Sequence, residues 1–178
     1  MTSSTAAAKR AVKFAASVAA LCACGCGNDG EHVSALDASY IVDGRSITLQ
    51  AGMHTESAAP GSAALNSTRV WGQPTVADLD RDGNDDAVVI LVNEPGGSGT
   101  FYYIAAAYND GSHFTGSTAL LLGDRIDVRS VTVVDGIVIV SYSDHGRTQT
   151  MAGVPDRPGS RRFTGTRPGL QELPSAAG

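Results

Sequence analysis

The chain is predicted to form an all-β domain, a small antiparallel sandwich or barrel-like sheet. Short apolar runs recur along the sequence, and Asp-Gly, Asn-Asp-Gly and glycine-rich turns separate them. Glycine is abundant, with 21 residues in 178, whereas charged residues make up only 17% of the chain. This composition favours strands and turns over long surface helices. The close spacing of turns and apolar runs therefore predicts about seven to nine strands.

The first 23 residues are predicted to be a signal peptide that precedes this domain. Lys9, Arg10 and Lys13 provide a positive start, and the apolar run 14–23 is about half of the roughly 20 residues that span a bilayer. The next segment, 24–37, is rich in Gly, Asn and Asp and is predicted to be a flexible tether. The β domain is then expected to cover residues 38–174.

The end of the signal peptide, Leu21-Cys22-Ala23-Cys24, resembles the lipobox of bacterial lipoproteins. The resemblance implies a lipoprotein signal peptide, cleavage after Ala23 and a lipid on Cys24. Cys26 is a competing site because Gly25 before it is also small. The leader is also compatible with a signal peptide that is cleaved without lipidation, and with an uncleaved helix that anchors the protein.

A lipid on the N-terminal cysteine would make the membrane the partner of this chain, at the bacterial cell envelope. The residue after Cys24 is not Asp, which favours the periplasmic side of the outer membrane. Loss of the three basic leader residues takes the formal net charge from −5 to −8. An acidic chain without a basic cluster is not expected to bind nucleic acid. The sequence indicates no protein or ligand partner.

The first predicted element of the domain is a hairpin over residues 39–49 about Asp43-Gly44. A two-residue turn there places Tyr40 opposite Ile47 and Val42 opposite Arg45. The alternation puts four apolar side chains on one face: Tyr40, Val42, Ile47 and Leu49.

Segment 50–67 predicts no clear element beyond a short helix around 62–65. The hairpin about Asp135-Gly136 is apolar on both faces, so we expect both of its faces to be covered. The other strands are predicted from apolar runs at 68–71, 75–79, 87–93, 100–108, 114–122, 126–134, 137–142 and 161–164.

The loop 78–86 has the pattern D-x-D-x-D-G-x-x-D and runs straight into an apolar strand. Its five carboxylates would repel one another unless a cation lies among them, and the spacing is that of a calcium loop. Gly83 permits the sharp turn. The predicted ligands are the side chains of Asp78, Asp80, Asp82 and Asp86 and the backbone carbonyl of Asn84.

In this interpretation calcium is a structural cofactor that stabilises the strand connection, with a weak dissociation constant on the order of 10⁻⁴ to 10⁻³ M. Arg81 and Asp85 are expected to point outward. The alternative is an acidic Asx-type turn between two strands that binds no metal.

The acidic loop resembles the calcium loops of FG-GAP and VCBS-type repeats, but it occurs once, which excludes a propeller of repeated blades. Residues 40–142 also resemble a family of uncharacterised bacterial envelope lipoproteins. The motifs that carry this resemblance are the acidic loop, Gly-Thr-Phe-Tyr-Tyr at 99–103 and Leu-Leu-Gly-Asp-Arg at 121–125. The family usually has glycine where this chain has Arg81. The resemblance implies no enzymatic activity.

Catalytic residues are not evident. His32, His54, His113 and His145 are scattered, and the consecutive residues 143–145 (Ser-Asp-His) cannot all converge on one site. The sequence therefore predicts a lipid-anchored envelope protein, not an enzyme, that acts as a binding or structural module. The alternative is a small envelope hydrolase, or an inhibitor of one. A hydrolase would require His113 or His145 to hydrogen-bond a carboxylate in a pocket.

Overall fold

The computed structural model describes residues 34–146, 150 and 152–174. The predicted signal peptide 1–23, the lipidation site Cys24 with its competitor Cys26, and most of the tether lie outside these ranges. Within them every regular element is a β-strand, and no helix has the length and apolar character needed to cross a membrane. The predicted all-β fold class is confirmed.

Twelve strands form the domain, and every pairing between them is antiparallel. In chain order they are β1 (Ser39–Val42), β2 (Arg45–Thr48), β3 (Met53–Ser57), β4 (Leu65–Ala77), β5 (Asp86–Glu94), β6 (Phe101–Asn109), β7 (Phe114–Gly116), β8 (Leu120–Asp124), β9 (Asp127–Val134), β10 (Ile137–Asp144), β11 (Arg157–Thr166) and β12 (Gly169–Leu173).

The strands form three sheets. The central sheet has the order β3-β4-β5-β6-β7, and β8 also pairs with β6. The second sheet has the order β12-β11-β10-β9, and β1 and β2 form a separate hairpin. Strand β5 is the middle strand of the central sheet, and its residues from Asp86 to Asn93 are buried, as its continuous apolar run predicts.

Each face of β5 contributes to a different hydrophobic cluster. Ala87, Val89 and Leu91 pack with the β1–β2 hairpin, whereas Val88 and Ile90 pack with the second sheet. Because successive side chains of a strand point to opposite faces, one apolar strand supplies both clusters. The central sheet is therefore the middle layer, between the hairpin and the second sheet.

Both predicted Asp-Gly hairpins are confirmed with their registers. In the first, Tyr40 pairs with Ile47, and the four apolar side chains of its predicted face are all buried. Asp43 and Gly44 have φ values of 49° and 76°. Two consecutive left-handed residues are what a tight two-residue hairpin turn requires.

Several predicted boundaries were wrong. The run 68–71 and residues 75–77 of the next run belong to one strand, β4, whose pairing with β5 is irregular between Trp71 and Thr75, while residues 78 and 79 lie in the acidic loop. Segment 50–67 holds β3 and the start of β4 and no helix, while 114–122 divides into β7 and β8. The tail contains two strands, β11 and β12, where one short strand was expected.

The β9–β10 hairpin is not covered on both faces by the residues that the structure describes. Val138 and Val140 are fully buried toward the central sheet, but Val134 is 53% exposed. The second sheet packs against the central sheet with one face only, and β9 is its edge strand. The predicted coverage was therefore wrong.

The packed part of the chain begins before the predicted boundary at residue 38. Ala35 is buried, its carbonyl accepts a 2.6 Å hydrogen bond from the Tyr40 hydroxyl, and the Leu36 carbonyl accepts one from the Gly52 amide. Burial raises the pKa of the Tyr40 hydroxyl above its ordinary value. Residues 34–37 thus belong to the domain and not to a flexible tether.

Candidate metal centre

The acidic loop joins two neighbouring strands, β4 and β5, at the end of the central sheet. Ala77 and Asp86 are paired across these strands, so the loop leaves and re-enters the sheet at the same point. Leu79 is buried in the cluster between the central and second sheets, and Asp86 is fully buried. A buried side chain near each end thus fixes the loop to the core.

Asp86 holds the base of the loop through both of its carboxylate oxygens. Its Oδ2 accepts a 2.9 Å hydrogen bond from the Leu79 amide, and its Oδ1 accepts a 2.8 Å bond from the Asn109 amide at the end of β6. Burial nevertheless raises the pKa of Asp86, with these hydrogen bonds opposing the shift. A buried carboxylate is held among other acids, where a cation would stabilise its charged form.

Three carboxylates converge above this base. Asp78, Asp80 and Asp86 each place an oxygen so that the three atoms lie within 4.8 Å of one another. Two ligands on opposite sides of a calcium ion with bonds of about 2.3–2.6 Å are about 4.6–5.2 Å apart, so these oxygens can share one ion. This group of side chains can hold a metal ion.

One oxygen of these three carboxylates has no hydrogen-bond partner. The Oδ1 atom of Asp78 is buried without a hydrogen bond, while its Oδ2 accepts a 3.2 Å bond from the Gly83 amide. A buried acceptor without a donor is unfavourable unless a ligand satisfies it. A hard cation is the ligand that such an oxygen fits.

The carboxylate of Asp82, another predicted ligand, lies outside this group of three. The Asp82 Oδ1 accepts hydrogen bonds from the backbone and the side-chain amide of Asn84, at 2.8 and 3.1 Å. The first of these is the main cause that lowers the pKa of Asp82. Asp80 Oδ1 likewise accepts from the Asp82 amide at 3.2 Å. These hydrogen bonds are typical of Asx-type turns. They are compatible with both interpretations of the loop, the metal-free turn and the calcium loop.

The backbone follows the sequence expectation at the turn. Gly83 has φ of 91°, a left-handed value that side chains disfavour. Arg81 has φ of 64° without being glycine. Arg81 and Asp85 are both exposed, as predicted.

One residue at the site was not predicted. Arg167, in the turn between β11 and β12, donates through Nε to Asp80 Oδ2 and through its terminal nitrogen to Asp82 Oδ2, at 3.2 Å in the second case. Its guanidinium lies 5.4 Å from the centre of the Tyr108 ring. Arg167 is 87 positions from Asp80, and no local motif marks it. Only the folding of the second sheet against the central one brings them together.

The histidines that a hydrolase would use have other contacts. His113 Nδ1 lies 2.9 Å from the Ser112 hydroxyl in an exposed turn, and His145 Nε2 lies 3.1 Å from the Gly153 carbonyl. The Nδ1 atom of His145 is buried without a partner. The contacts of these two rings that the structure describes include no hydrogen bond to a carboxylate.

The aromatic residues after the glycine-rich turn belong to the core. Tyr103 is buried, and its hydroxyl donates a 2.6 Å hydrogen bond to Asp43 in the first hairpin. Burial is the largest cause that raises the pKa of Tyr103, and the Asp43 carboxylate raises it further. Phe101 and Tyr102 pack against the two hydrophobic clusters, one on each face of the sheet.

No family model, no curated protein and no solved structure matches this chain. The resemblance to envelope lipoproteins with a calcium loop stays a prediction.

Proposed function

We propose that this chain is a lipid-anchored envelope protein whose acidic loop binds one calcium ion, and that it acts as a binding or structural module. The observation that carries the proposal is the convergence of carboxylate oxygens of Asp78, Asp80 and Asp86, together with the buried Oδ1 of Asp78 that has no hydrogen-bond partner. Calcium is favoured because the donors are hard oxygens on a short loop with the spacing of a calcium loop. The carboxylate of Asp82 and the carbonyl of Asn84 would complete the shell predicted from the sequence.

The role of the ion is structural. The loop connects two paired strands, and its carboxylates are close enough to repel one another without a counter-ion. An ion bound only by the folded chain stabilises that chain by mass action. With a dissociation constant of about 10⁻³ M, about 10 mM calcium would add about 1.4 kcal/mol. This corresponds to a rise of roughly 3–6 °C in the unfolding midpoint.

Thermal unfolding of the full chain in calcium and in chelator tests the ion, together with calorimetric titration. We expect a higher midpoint in calcium and a dissociation constant on the order of 10⁻⁴ to 10⁻³ M. Identical midpoints and no binding heat would overturn the calcium assignment. Magnesium at the same concentration distinguishes a calcium site from a general divalent effect, because magnesium demands a more regular shell.

Asp78→Asn is the informative variant for this test. The substitution removes one ligand charge but keeps the shape of the side chain, and it affects an oxygen that makes no hydrogen bond. We expect calcium affinity to fall at least about tenfold, while the metal-free midpoint changes by no more than about 2 °C.

Asp85→Asn is the matched control because it removes the same charge from an exposed neighbouring residue. Its calcium affinity should stay within about threefold of the wild type. Equal losses of affinity in the two variants would mean that net charge, and not ligation, attracts the ion.

The lipid anchor has a separate test. The proposal rests on the Leu-Cys-Ala-Cys segment at 21–24. Mass spectrometry of the protein recovered from bacterial membranes should show an N-terminus at Cys24 with an added lipid, and Cys24→Ser should abolish both. Cys26→Ser is the control and should leave them unchanged. A lipid on Cys26, or an intact leader, would contradict the assignment.

A further inference from the structure

Arg167 connects three parts of the domain at the rim of the acidic loop. Its Nε donates to Asp80, and its terminal nitrogen donates to Asp82 and to the Asn109 carbonyl, each of the last two at 3.2 Å. The guanidinium also stacks over the Tyr108 ring, with 5.4 Å between its carbon and the ring centre. A cation is thus already held against the carboxylates that would bind a metal.

The guanidinium occupies one of the two carboxylate oxygens of Asp80. Asp80 Oδ1 accepts a hydrogen bond from the Asp82 amide, and Asp80 Oδ2 accepts one from Arg167. Both carboxylate oxygens of Asp80 therefore already have a hydrogen-bond donor. A divalent ion that uses Asp80 must share or replace one of these contacts. It would also approach a fixed positive charge, which lowers affinity for a second cation. The hydrogen bond to Asp80 raises the pKa of Arg167, so the side chain stays charged.

The side chain has room to move away. The Arg167 side chain is 45% exposed, so the guanidinium is open to solvent on one side and is not enclosed by the core. A groove of about 610 Å³ lies beside it, between the acidic loop and the end of the second sheet. Arg167 and Arg81 both line this groove. Displacement of the guanidinium into it would not require the strands to separate.

We propose that Arg167 is an internal counter-ion of the metal-free loop, that it leaves Asp80 when a divalent cation binds, and that this exchange sets the affinity of the site. The inference rests on the proposed calcium site. In the metal-free protein Arg167 offsets the repulsion among the carboxylates and holds the β11–β12 turn to the central sheet. In the calcium form the ion replaces the guanidinium at Asp80.

The test compares Arg167→Gln with Arg161→Gln in the full chain. Arg161 is the matched control because it also pairs with a carboxylate, that of Glu172, and stacks on a ring, with 5.3 Å to the centre of Phe163. It lies in the middle of β11, and its described hydrogen bonds go to Glu172 and to the carbonyls of Leu121 and Leu122, outside the acidic loop. Both variants are expected to lower the unfolding midpoint in chelator.

Only Arg167→Gln is expected to change calcium binding. Removing the competing charge should lower the calcium dissociation constant by about threefold to fivefold, the upper part of the range for a partly exposed charge interaction. Arg161→Gln should leave that constant within about twofold. Arg167→Lys keeps the charge but loses the planar fork and should lie between wild type and Arg167→Gln.

An unchanged or weaker affinity in Arg167→Gln would overturn the inference while the calcium site of the wild type stands. If Arg167→Gln binds calcium and the wild type does not, the result would support the inference and overturn the calcium site of the wild type. Absence of binding by both proteins would overturn both proposals. If Arg167→Gln does not fold, the exchange rate of the Arg167 Nε proton with solvent is measured in the wild type. Displacement of Arg167 predicts that calcium increases this rate. An unchanged rate would refute displacement.

Discussion

Arg81 adopts a left-handed backbone conformation inside the acidic loop, with φ of 64°. The side chain is exposed, and its end approaches Gly136 in the β9–β10 turn. A non-glycine residue in this conformation costs about 1–2 kcal/mol. Glycine adopts this conformation without that cost, so the local geometry favours glycine at this position.

Arg81→Gly is expected to stabilise the metal-free protein. Relief of the left-handed strain exceeds the added freedom of glycine in the unfolded chain, which is about 0.4–1 kcal/mol. We therefore expect a net gain of about 0.5–1 kcal/mol in the free energy of unfolding, measured by urea denaturation in chelator. Arg81→Ala is the control because it removes the charge but keeps the Cβ atom. An equal gain in both variants would assign the effect to the side chain and not to the backbone.

Strand β5 is the element on which both hydrophobic clusters depend. Leu91 is fully buried toward the β1–β2 hairpin, and Ile90 is buried toward the second sheet. A continuous apolar run is typical of a strand that is covered on both faces, and this element was predicted from it.

Leu91→Ala is expected to lower the free energy of unfolding by about 2–5 kcal/mol, because it leaves a cavity in a packed cluster. The matched control is Leu65→Ala in the neighbouring strand β4, where Leu65 is 55% exposed. That change should cost no more than about 0.5 kcal/mol. Urea denaturation measures both. Similar losses at the two positions would contradict the proposed middle-layer role of β5.

Strand β11 shows why an element can be predicted only in part, because the sequence predicted residues 161–164 and the strand covers Arg157–Thr166. Its sequence, Arg-Pro-Gly-Ser-Arg-Arg-Phe-Thr-Gly-Thr, contains residues that are typical of turns. A Cβ atom on Gly165 would lie 2.8 Å from the Leu79 Cβ, and one on Gly159 would lie 3.0 Å from the Tyr142 ring. These glycines make room for neighbouring side chains. Glycine is needed at these positions because of contacts between separate parts of the chain. A local sequence pattern does not contain that information.

At the scale of the whole domain, several carboxyl groups depend on the folded state for their acidity. Hydrogen bonds from the amides of His113 and Ser112 lower the pKa of Asp110 to about 2. A hydrogen bond from the Ala51 amide lowers the pKa of Asp37, and Arg161 lowers that of Glu172. Each group is a stronger acid in the folded chain than in the unfolded chain.

The stability of the metal-free domain is therefore expected to fall in acid. These groups contribute fully above their unfolded pKa values of 3.8 for Asp and 4.5 for Glu. The contribution is lost as the pH falls through the lower folded values, toward about 2 for Asp110. Asp86 acts in the opposite direction, because burial raises its pKa and protonation relieves an unfavourable charge.

Urea denaturation in chelator at a series of pH values between about 6 and 2.5 measures this dependence. We expect the free energy of unfolding to decline below about pH 4.5. Glu172→Gln removes one of the contributing groups and should make the decline shallower. A flat or rising profile over this range would mean that Asp86 outweighs the other carboxyl groups.

The sequence by itself determined the features whose causes are local. Asp-Gly pairs require left-handed turns, alternation places Tyr40 and Ile47 on one face, and the spacing of the acidic loop follows from the geometry of a single turn. The position of Arg167 against Asp80 depends on the packing of the second sheet on the central one. No local pattern contains this contact, because the two residues are far apart along the chain. Charges and volumes that are 87 positions apart interact only after two sheets have packed together.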